Sequence, residues 1–202
     1  MATKKRRPGR RRSKQKINYL AVFCLAFLCL LAFIVPSQFQ EKNDVDKEKR
    51  AFITQLAPYA RQAQRQYRVL ASISLAQAIL ESDWNRSELS KNYHNLYGIK
   101  ASGNQAGVQL ATDEYVDGQW IKVSGRFAVY DSWQDSIDAH ARLLAQGTSW
   151  NPSQYQHVLA ANNYQEAATA LVKDGYATDP DYASKIISLI KTWQLAQYDL
   201  VQ

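Results

Sequence analysis

The hydrophobic pattern of the chain predicts a mainly helical domain that begins near Lys47. From Lys47 to Gln66, apolar side chains recur at the spacing of one helix face: Phe52, Leu56, Tyr59, Ala63 and Tyr67. The next segment, Ser72 to Ser82, is apolar on nearly all sides, as expected of a buried helix. Three further amphipathic helices are predicted at about 132–145, 164–174 and 181–197.

Between these helices the pattern changes to that of strands. Short runs of β-branched and aromatic residues occupy 108–110, 115–116 and 120–123, and Asp117-Gly118 between them is a strong signal for a hairpin turn. The elements together predict an α+β fold that is mainly helical, with one small β-hairpin.

The N-terminus carries a long apolar run, Ile17–Val35, which contains no charged residue. At 1.5 Å per residue it spans roughly 28 Å, about the thickness of the bilayer core. Nine Lys and Arg precede it within residues 1–16, and such a flank stays in the cytoplasm. We therefore expect a cytoplasmic tail (1–16), a transmembrane signal anchor (17–35), a linker (36–46) and an extracellular domain (47–202). A cleaved signal peptide is the alternative, although the run is longer than a usual signal-peptide core.

The charge and the scarcity of metal-ligand residues limit the possible functions of the extracellular domain. The net charge of +7 comes from the basic tail, because the remaining 16 Lys and Arg are slightly outnumbered by the 18 Asp and Glu. A nucleic-acid partner is therefore not expected. Both cysteines, Cys24 and Cys29, fall in the apolar run, and the three histidines are scattered. The sequence thus predicts neither a metal site nor a cofactor.

A narrow polar stripe crosses the otherwise apolar helix at 72–82. Ser74, Gln77 and Glu81 are spaced by three and four residues, so they share one face. The stripe forms either the solvent face of the helix or the lining of a cleft. In a cleft, apolar walls would raise the pKa of the Glu81 carboxyl, as a general acid requires near neutral pH.

A second carboxyl and a set of aromatic residues complete the candidate chemistry. Asp113 and Glu114 are neighbours on a predicted strand, so only one of them can face a cleft, and either could simply be an exposed charge. Aromatic rings suit a glycan groove because the apolar faces of sugars stack on them, although most would be core residues. The aromatic residues near these segments are Trp84, Tyr93, Tyr97, Tyr115, Tyr130, Trp133 and Tyr176.

Five sequence blocks carry a resemblance to a known family. They are LAQAILESDWNRSELS (75–90), NLYGIK (95–100), TDEYVDG (112–118), GRFAVYDS (125–132) and GYATDPDYA (175–183). In this order they resemble the bacterial glucosaminidases of glycoside hydrolase family 73, over about Lys47 to Gln197.

The resemblance implies a lysozyme-like fold in which a helical lobe and a β-hairpin lobe flank a groove. It also implies an endo-β-N-acetylglucosaminidase that cleaves the β-1,4 bond between N-acetylglucosamine and N-acetylmuramic acid in peptidoglycan. Glu81 takes the place of the family's general acid, Glu114 that of its proposed second carboxylate, and Tyr176 that of an active-site tyrosine. The polar stripe, the family blocks and the aromatic set together nominate the substrate-binding residues Gln77, Trp84, Asn95, Tyr97, Tyr115 and Tyr130.

Two positions depart from the common family pattern. Asn85 stands where many members have Gly, and Asn is the least costly replacement if the backbone there needs a positive φ. Tyr97 replaces a commoner Phe, which adds a hydroxyl that needs a partner.

Several alternatives stay open at the level of sequence. A muramidase or lytic transglycosylase would use the same acid, and a non-catalytic glycan-binding scaffold would need none. For the hydrolase, Glu114 as the base of an inverting reaction is the preferred mechanism, and attack by the substrate's own 2-acetamido group, assisted by Tyr176, is the alternative. The expected partners are peptidoglycan strands and, through the anchor, the membrane.

Overall fold

The computed structural model describes the backbone of residues 19–116 and 119–200 and, within them, the side chains of residues 42–111 and 122–200. The chain divides into two compact units, Met1–Asp46 and Lys47–Gln202. In the described part of the chain, no helix combines the length and the apolar character needed to cross a membrane. The predicted span, Ile17–Val35, lies outside the residues whose side chains are described, so the anchor stays a prediction.

The described elements are helices with a single β-hairpin between the third and the fourth. In chain order they are α1 (Tyr19–Tyr67), α2 (Ala71–Ser82), α3 (Glu88–Tyr93), β1 (Gly107–Val116), β2 (Gln119–Ala128), α4 (Trp133–Gln146), α5 (Gln156–Ala160), α6 (Tyr164–Lys173), α7 (Tyr182–Trp193) and a 3₁₀ segment (Leu195–Tyr198).

Helix α2 is the centre of the core of the second unit. Every residue from Ala71 to Ile79 is buried, which confirms the prediction of a buried helix. The helix packs against α4, α6, α7 and the 3₁₀ segment. The largest fully buried apolar side chains around it include Leu144, Leu171, Ile186, Ile190 and Leu195. Because Glu81, the candidate acid, lies in the last turn of α2, this packing supports it.

The N-terminus of α2 is held by the far end of the chain. Leu70, the residue before the helix, provides no side-chain cap. Instead, the backbone N–H and the hydroxyl of Ser72 each donate a 2.7 Å hydrogen bond to the carboxylate of Asp199. By contrast, α3, α4 and α6 begin at local caps, Ser87, Ser132 and Asn163.

The hairpin is longer than its apolar runs predict. β1 and β2 are ten residues each and pair antiparallel from Gly107↔Ala128 to Val116↔Gln119. Backbone pairing continues through polar positions, which the apolar pattern does not register. The predicted turn residues, Asp117 and Gly118, lie outside the described residues. The fold is mainly helical with one small antiparallel sheet, so the predicted fold class is confirmed.

Two details of the C-terminal half differ from prediction. The last helix ends at Trp193 and not near Gln197, because Gln194 adopts a left-handed conformation with a φ of 54°. The short helix α5 was not predicted, since five residues are too few to show a periodic pattern.

Candidate active site

Glu81 lies in the last turn of α2, directly before a sharp change of chain direction. Asp83, Trp84 and Asn85 all have left-handed backbone conformations, with φ values of 48°, 60° and 61°. The Ser82 hydroxyl accepts a 2.9 Å hydrogen bond from the backbone N–H of Asn85 and donates one of 2.6 Å to the Ala78 carbonyl. Position 85 therefore has a positive φ, the condition under which Asn is the least costly replacement for Gly. This turn ends α2 directly after Glu81, whose side chain is exposed.

The carboxylate of Glu81 is held by a tyrosine from another helix. The Tyr182 hydroxyl, at the start of α7, donates a 2.7 Å hydrogen bond to Glu81 Oε1. The same hydroxyl accepts a 3.0 Å hydrogen bond from Gln77 Nε2. Because the amide nitrogen can only donate, it leaves the Tyr182 proton for Glu81. The three side chains therefore form a directed chain that ends at the acid.

Burial changes the acidity of these groups. Glu81 is exposed to a cavity, but the walls around it displace enough water to raise the pKa of its carboxyl, and the Tyr182 hydrogen bond partly opposes this rise. Burial and the nearby Glu81 also raise the pKa of the Tyr182 hydroxyl, so this phenol stays a proton donor in the hydrogen bond. A carboxyl with a raised pKa carries its proton at higher pH than an ordinary glutamate.

Glu81 opens into a cavity of about 1080 Å³. Its walls come from the segment that precedes the hairpin (97–105), from α4 and the loop that follows it, and from the segment between α6 and α7 (175–179). Tyr97, Tyr130, Tyr176 and Tyr182 all line it. The volume is sufficient for several sugar rings.

A layer of stacked aromatic rings supports this wall. The ring of the fully buried His140 lies parallel to that of Tyr97, with centroids 3.8 Å apart, and its edge meets Tyr176 at 5.9 Å. Tyr176 in turn contacts Tyr182, with ring centroids 5.8 Å apart. Burial lowers the pKa of His140 to about 3, so its imidazole is neutral at all physiological pH values. His140 thus acts as a packing group beneath the cavity.

The chain matches one family model over most of the second unit. The model, described as mannosyl-glycoprotein endo-beta-N-acetylglucosaminidase, covers residues 57–195. The chain belongs to the glucosaminidase family. It is therefore a glycosidase, and the family membership predicted from the five sequence blocks is confirmed.

Individual relatives support the same assignment. The exo-glucosaminidase LytG of Bacillus subtilis is 39% identical over 199 residues, which cover 96% of this chain and 71% of that protein. The peptidoglycan hydrolase FlgJ of Escherichia coli is 37% identical over 163 residues, and this chain spans half of its length. The crystal structure of the catalytic domain of the autolysin Auto from Listeria monocytogenes superposes with a TM-score of 0.70 at 36% identity, covering 79% of this chain and 96% of that one.

Four of the residues predicted from the glucosaminidase blocks line the cavity, namely Glu81, Tyr97, Tyr130 and Tyr176. Tyr97 is almost fully buried, and its additional hydroxyl donates a 3.2 Å hydrogen bond to the Ser74 carbonyl. The family's common Phe could not make this bond, so the hydroxyl has the partner that it needs.

Three residues predicted to bind substrate lie elsewhere. Gln77 is fully buried, so the polar stripe is neither a solvent face nor a cleft lining, and only its last member reaches the cavity. Asn95 is buried as well, and its amide donates 2.9 Å hydrogen bonds to the carbonyls of Ile99 and Ala128, which holds the loop before the hairpin. The ring of Trp84 packs against Phe52 and Trp193.

Two predicted residues lie on the hairpin. Glu114 pairs with Ile121 and Tyr115 with Trp120 in the register of β1 and β2. Their side chains fall outside those that the structure describes. Their assignment to catalysis and to substrate binding stays a prediction.

Tyr182 is a site residue that the sequence pattern does not reveal. The periodicity of the predicted helix at 181–197 puts Tyr182 on its apolar face, and the ring is indeed buried. Its position in the block GYATDPDYA, six residues after Tyr176, was the available signal. Periodicity alone could not show that the hydroxyl of this core residue reaches Glu81.

Proposed function

We propose that this glucosaminidase hydrolyses peptidoglycan at the β-1,4 bond between N-acetylglucosamine and N-acetylmuramic acid, with Glu81 as the general acid. The observation that carries the proposal is the setting of Glu81. Its carboxyl opens into a cavity large enough for a glycan, its pKa is raised by burial, and a directed hydrogen bond holds one of its oxygens.

The hydrogen bond from Tyr182 determines which carboxyl oxygen delivers the proton. Because Oε1 accepts from Tyr182, a protonated Glu81 carries its own proton on Oε2. That oxygen is free to donate to the glycosidic oxygen, so that the leaving group departs as a neutral sugar hydroxyl. A second group must then stabilise or react with the anomeric carbon, where positive charge develops.

Two groups are proposed for the second half of the reaction. In the preferred route, Glu114 acts as a base that activates water on the opposite face of the sugar, which inverts the anomeric carbon. This route requires carboxyl groups about 6.5–9.5 Å apart. In the alternative, the 2-acetamido group of the substrate attacks first, and Tyr176 orients it. The position of Tyr176 on the cavity wall is consistent with either route.

The names of the relatives support the proposed substrate. LytG is called an exo-glucosaminidase, FlgJ a peptidoglycan hydrolase and Auto an autolysin. We propose endo-type cleavage within the strand. An exo enzyme would instead release single sugars from one end, so the sizes of the products separate the two modes.

We further propose that the enzyme is anchored in the cell membrane and acts outside it. The support is the uncharged run at 17–35 and the nine preceding cations. Protease added to intact cells should remove the domain after residue 36. If the domain resists this treatment and becomes sensitive only after lysis, the proposed orientation is wrong.

The proposed bond specificity is tested by digesting purified cell walls with the full-length protein in detergent. Mass spectrometry of the reduced products should show N-acetylglucosamine at the new reducing ends. N-acetylmuramic acid at these ends would indicate a muramidase, and an anhydro sugar a lytic transglycosylase. If the folded protein binds the cell walls and releases no products, a scaffold role replaces the proposal.

A further inference from the structure

Trp150 is an exposed aromatic side chain on the cavity wall. It is 80% exposed, and of the side chains that the structure describes, Val45 at 41% is the other large apolar group with such exposure. An indole in water is unfavourable by itself, since burying apolar surface stabilises a fold. Trp150 also lines the cavity that contains Glu81. The exposed ring therefore lies at the candidate active site and not on an unrelated surface.

The loop that presents Trp150 is tightly constrained. Thr148 and Asn151 form two backbone hydrogen bonds, of 3.0 and 3.1 Å, so Trp150 lies within a closed turn. The Thr148 hydroxyl donates a 2.8 Å hydrogen bond to the Gln154 side chain. Gly147, just before the turn, has a φ of 69°, and a Cβ there would come within 2.3 Å of the Asn151 carbonyl oxygen. The turn requires glycine at this point, and the position of Trp150 follows from that geometry.

The same turn is connected to the segment that carries Tyr176. Gln154 Nε2 donates a 3.2 Å hydrogen bond to the carbonyl of Asp174, two residues before Tyr176. Gln154 thus ties the Trp150 turn and the Tyr176 segment together. This link helps to fix the position of Trp150 relative to Tyr176.

We propose that Trp150 is a sugar-binding platform, a subsite on which the apolar face of one pyranose ring of the glycan strand stacks. The inference deepens the proposed function and rests on it. A pyranose presents C–H groups on its face and hydroxyls at its edge. The exposed indole can therefore cover the face while the hydroxyls stay in water. The turn residues that line the cavity beside Trp150, Thr148 and Ser149, are uncharged. This setting favours a neutral sugar ring over the charged stem peptide.

The test compares Trp150→Ala and Trp150→Phe with the unchanged protein on glycan strands from which the stem peptides have been removed. For Trp150→Ala we expect KM to rise about tenfold, the scale of one lost aromatic contact. The kcat should change little, because stacking on a sugar ring that does not react contributes to ground state and transition state alike. Trp150→Phe should recover part of the loss.

Gln156→Ala is the matched control. Gln156 is exposed and follows the turn closely in sequence, but it does not line the cavity, so its truncation should leave KM unchanged. Thermal unfolding of each variant shows whether the fold is intact. Calorimetric titration of Glu81→Gln, with and without Trp150→Ala, should show weaker binding of an N-acetylglucosamine hexamer in the double variant.

The outcomes separate this proposal from the proposed function. If the unchanged protein cleaves the strands and Trp150→Ala has the same KM, the platform is refuted and the hydrolase stands. If Trp150→Ala loses binding of the free stem peptide and retains that of the hexamer, the occupant is peptide and the sugar assignment is wrong. If the unchanged protein cleaves no glycan but still binds the hexamer through Trp150, the platform stands and the hydrolase fails.

Discussion

The hydroxyl of Tyr182 donates a 2.7 Å hydrogen bond to Oε1 of Glu81, although the two residues are 101 positions apart in the chain. The bond joins the end of α2 to the start of α7. It is continued by Gln77, so a buried amide, a phenol and the candidate acid form one chain. The candidate acid is consequently positioned by residues of the domain core.

Tyr182→Phe should move the alkaline limb of the pH–rate profile to higher pH. The hydrogen bond from Tyr182 lowers the pKa of Glu81, so its removal raises that pKa further. A general acid works in its protonated form, and the rate therefore falls as pH rises through its pKa. The profile of kcat/KM against pH measures the shift, with Tyr164→Phe on α6 as a control outside the cavity. A limb that stays in place or moves to lower pH would contradict the role assigned to Tyr182.

His140→Phe should flatten the dependence of stability on pH between about 3 and 6.5. In the folded protein burial lowers the pKa of His140 to about 3, whereas in the unfolded chain it has its ordinary value near 6.5. Between these values only the unfolded chain binds the proton, so stability falls as pH falls. The slope from one such group is about 1.4 kcal/mol per pH unit.

Urea unfolding of the full-length protein and of His140→Phe at several pH values measures this effect. The aspartates and glutamates titrate in both proteins, so the difference between the two curves isolates His140. Phenylalanine keeps a flat ring against Tyr97. Parallel curves over this pH range would show that His140 is protonated in the folded state, contrary to its burial.

The elements of the fold were largely predictable because each is encoded locally. The buried helix at 72–82 and the apolar face of the last helix follow from periodicity. Ser132 and Asn163 are ordinary helix caps. Helix α5 was missed, and so was the length of the strands. In both cases backbone hydrogen bonds extend structure where the side-chain pattern carries no signal.

The site was only partly predictable because a motif specifies positions, not the directions of side chains. Gln77 and Asn95 belong to family blocks, yet both are buried and hold other groups in place. Their partners, Tyr182 and Ala128, come from distant parts of the chain, and only the packed structure brings them together. Trp150 lies in none of the five blocks, and its exposure on the cavity wall is a property of the folded turn.

Asp199→Ala should lower stability by about 1–2 kcal/mol, the usual effect of losing a helix N-cap. Asp199 accepts two hydrogen bonds from Ser72 and supplies the cap that α2 lacks locally. For a domain of this size the melting temperature should drop by roughly 2–4 °C per kcal/mol. Asp181→Ala, at an exposed position before α7 with no side-chain cap bond, is the control. An unchanged melting temperature for Asp199→Ala would show that the C-terminal segment does not stabilise α2.

Glu114→Gln distinguishes the two proposed mechanisms. If Glu114 is the base of an inverting reaction, the variant should lose about 10²–10⁴-fold in rate. NMR of the first product of the unchanged enzyme should then show the α-anomer. Attack by the acetamido group predicts a β-anomer and a much smaller loss in Glu114→Gln, and that pair of results would remove the inverting mechanism.

The proposed role of Glu81 as the proton donor is tested by Glu81→Gln. The substitution keeps the size of the side chain and removes the acidic proton, while Glu88→Gln, on the neighbouring helix α3 and outside the cavity, controls for the loss of a charge. The measurement is the initial rate of reducing-end release from purified peptidoglycan by the folded full-length variants. We expect a loss of about 10²–10⁴-fold for Glu81→Gln and none for Glu88→Gln. A rate for Glu81→Gln close to that of the unchanged protein would contradict it.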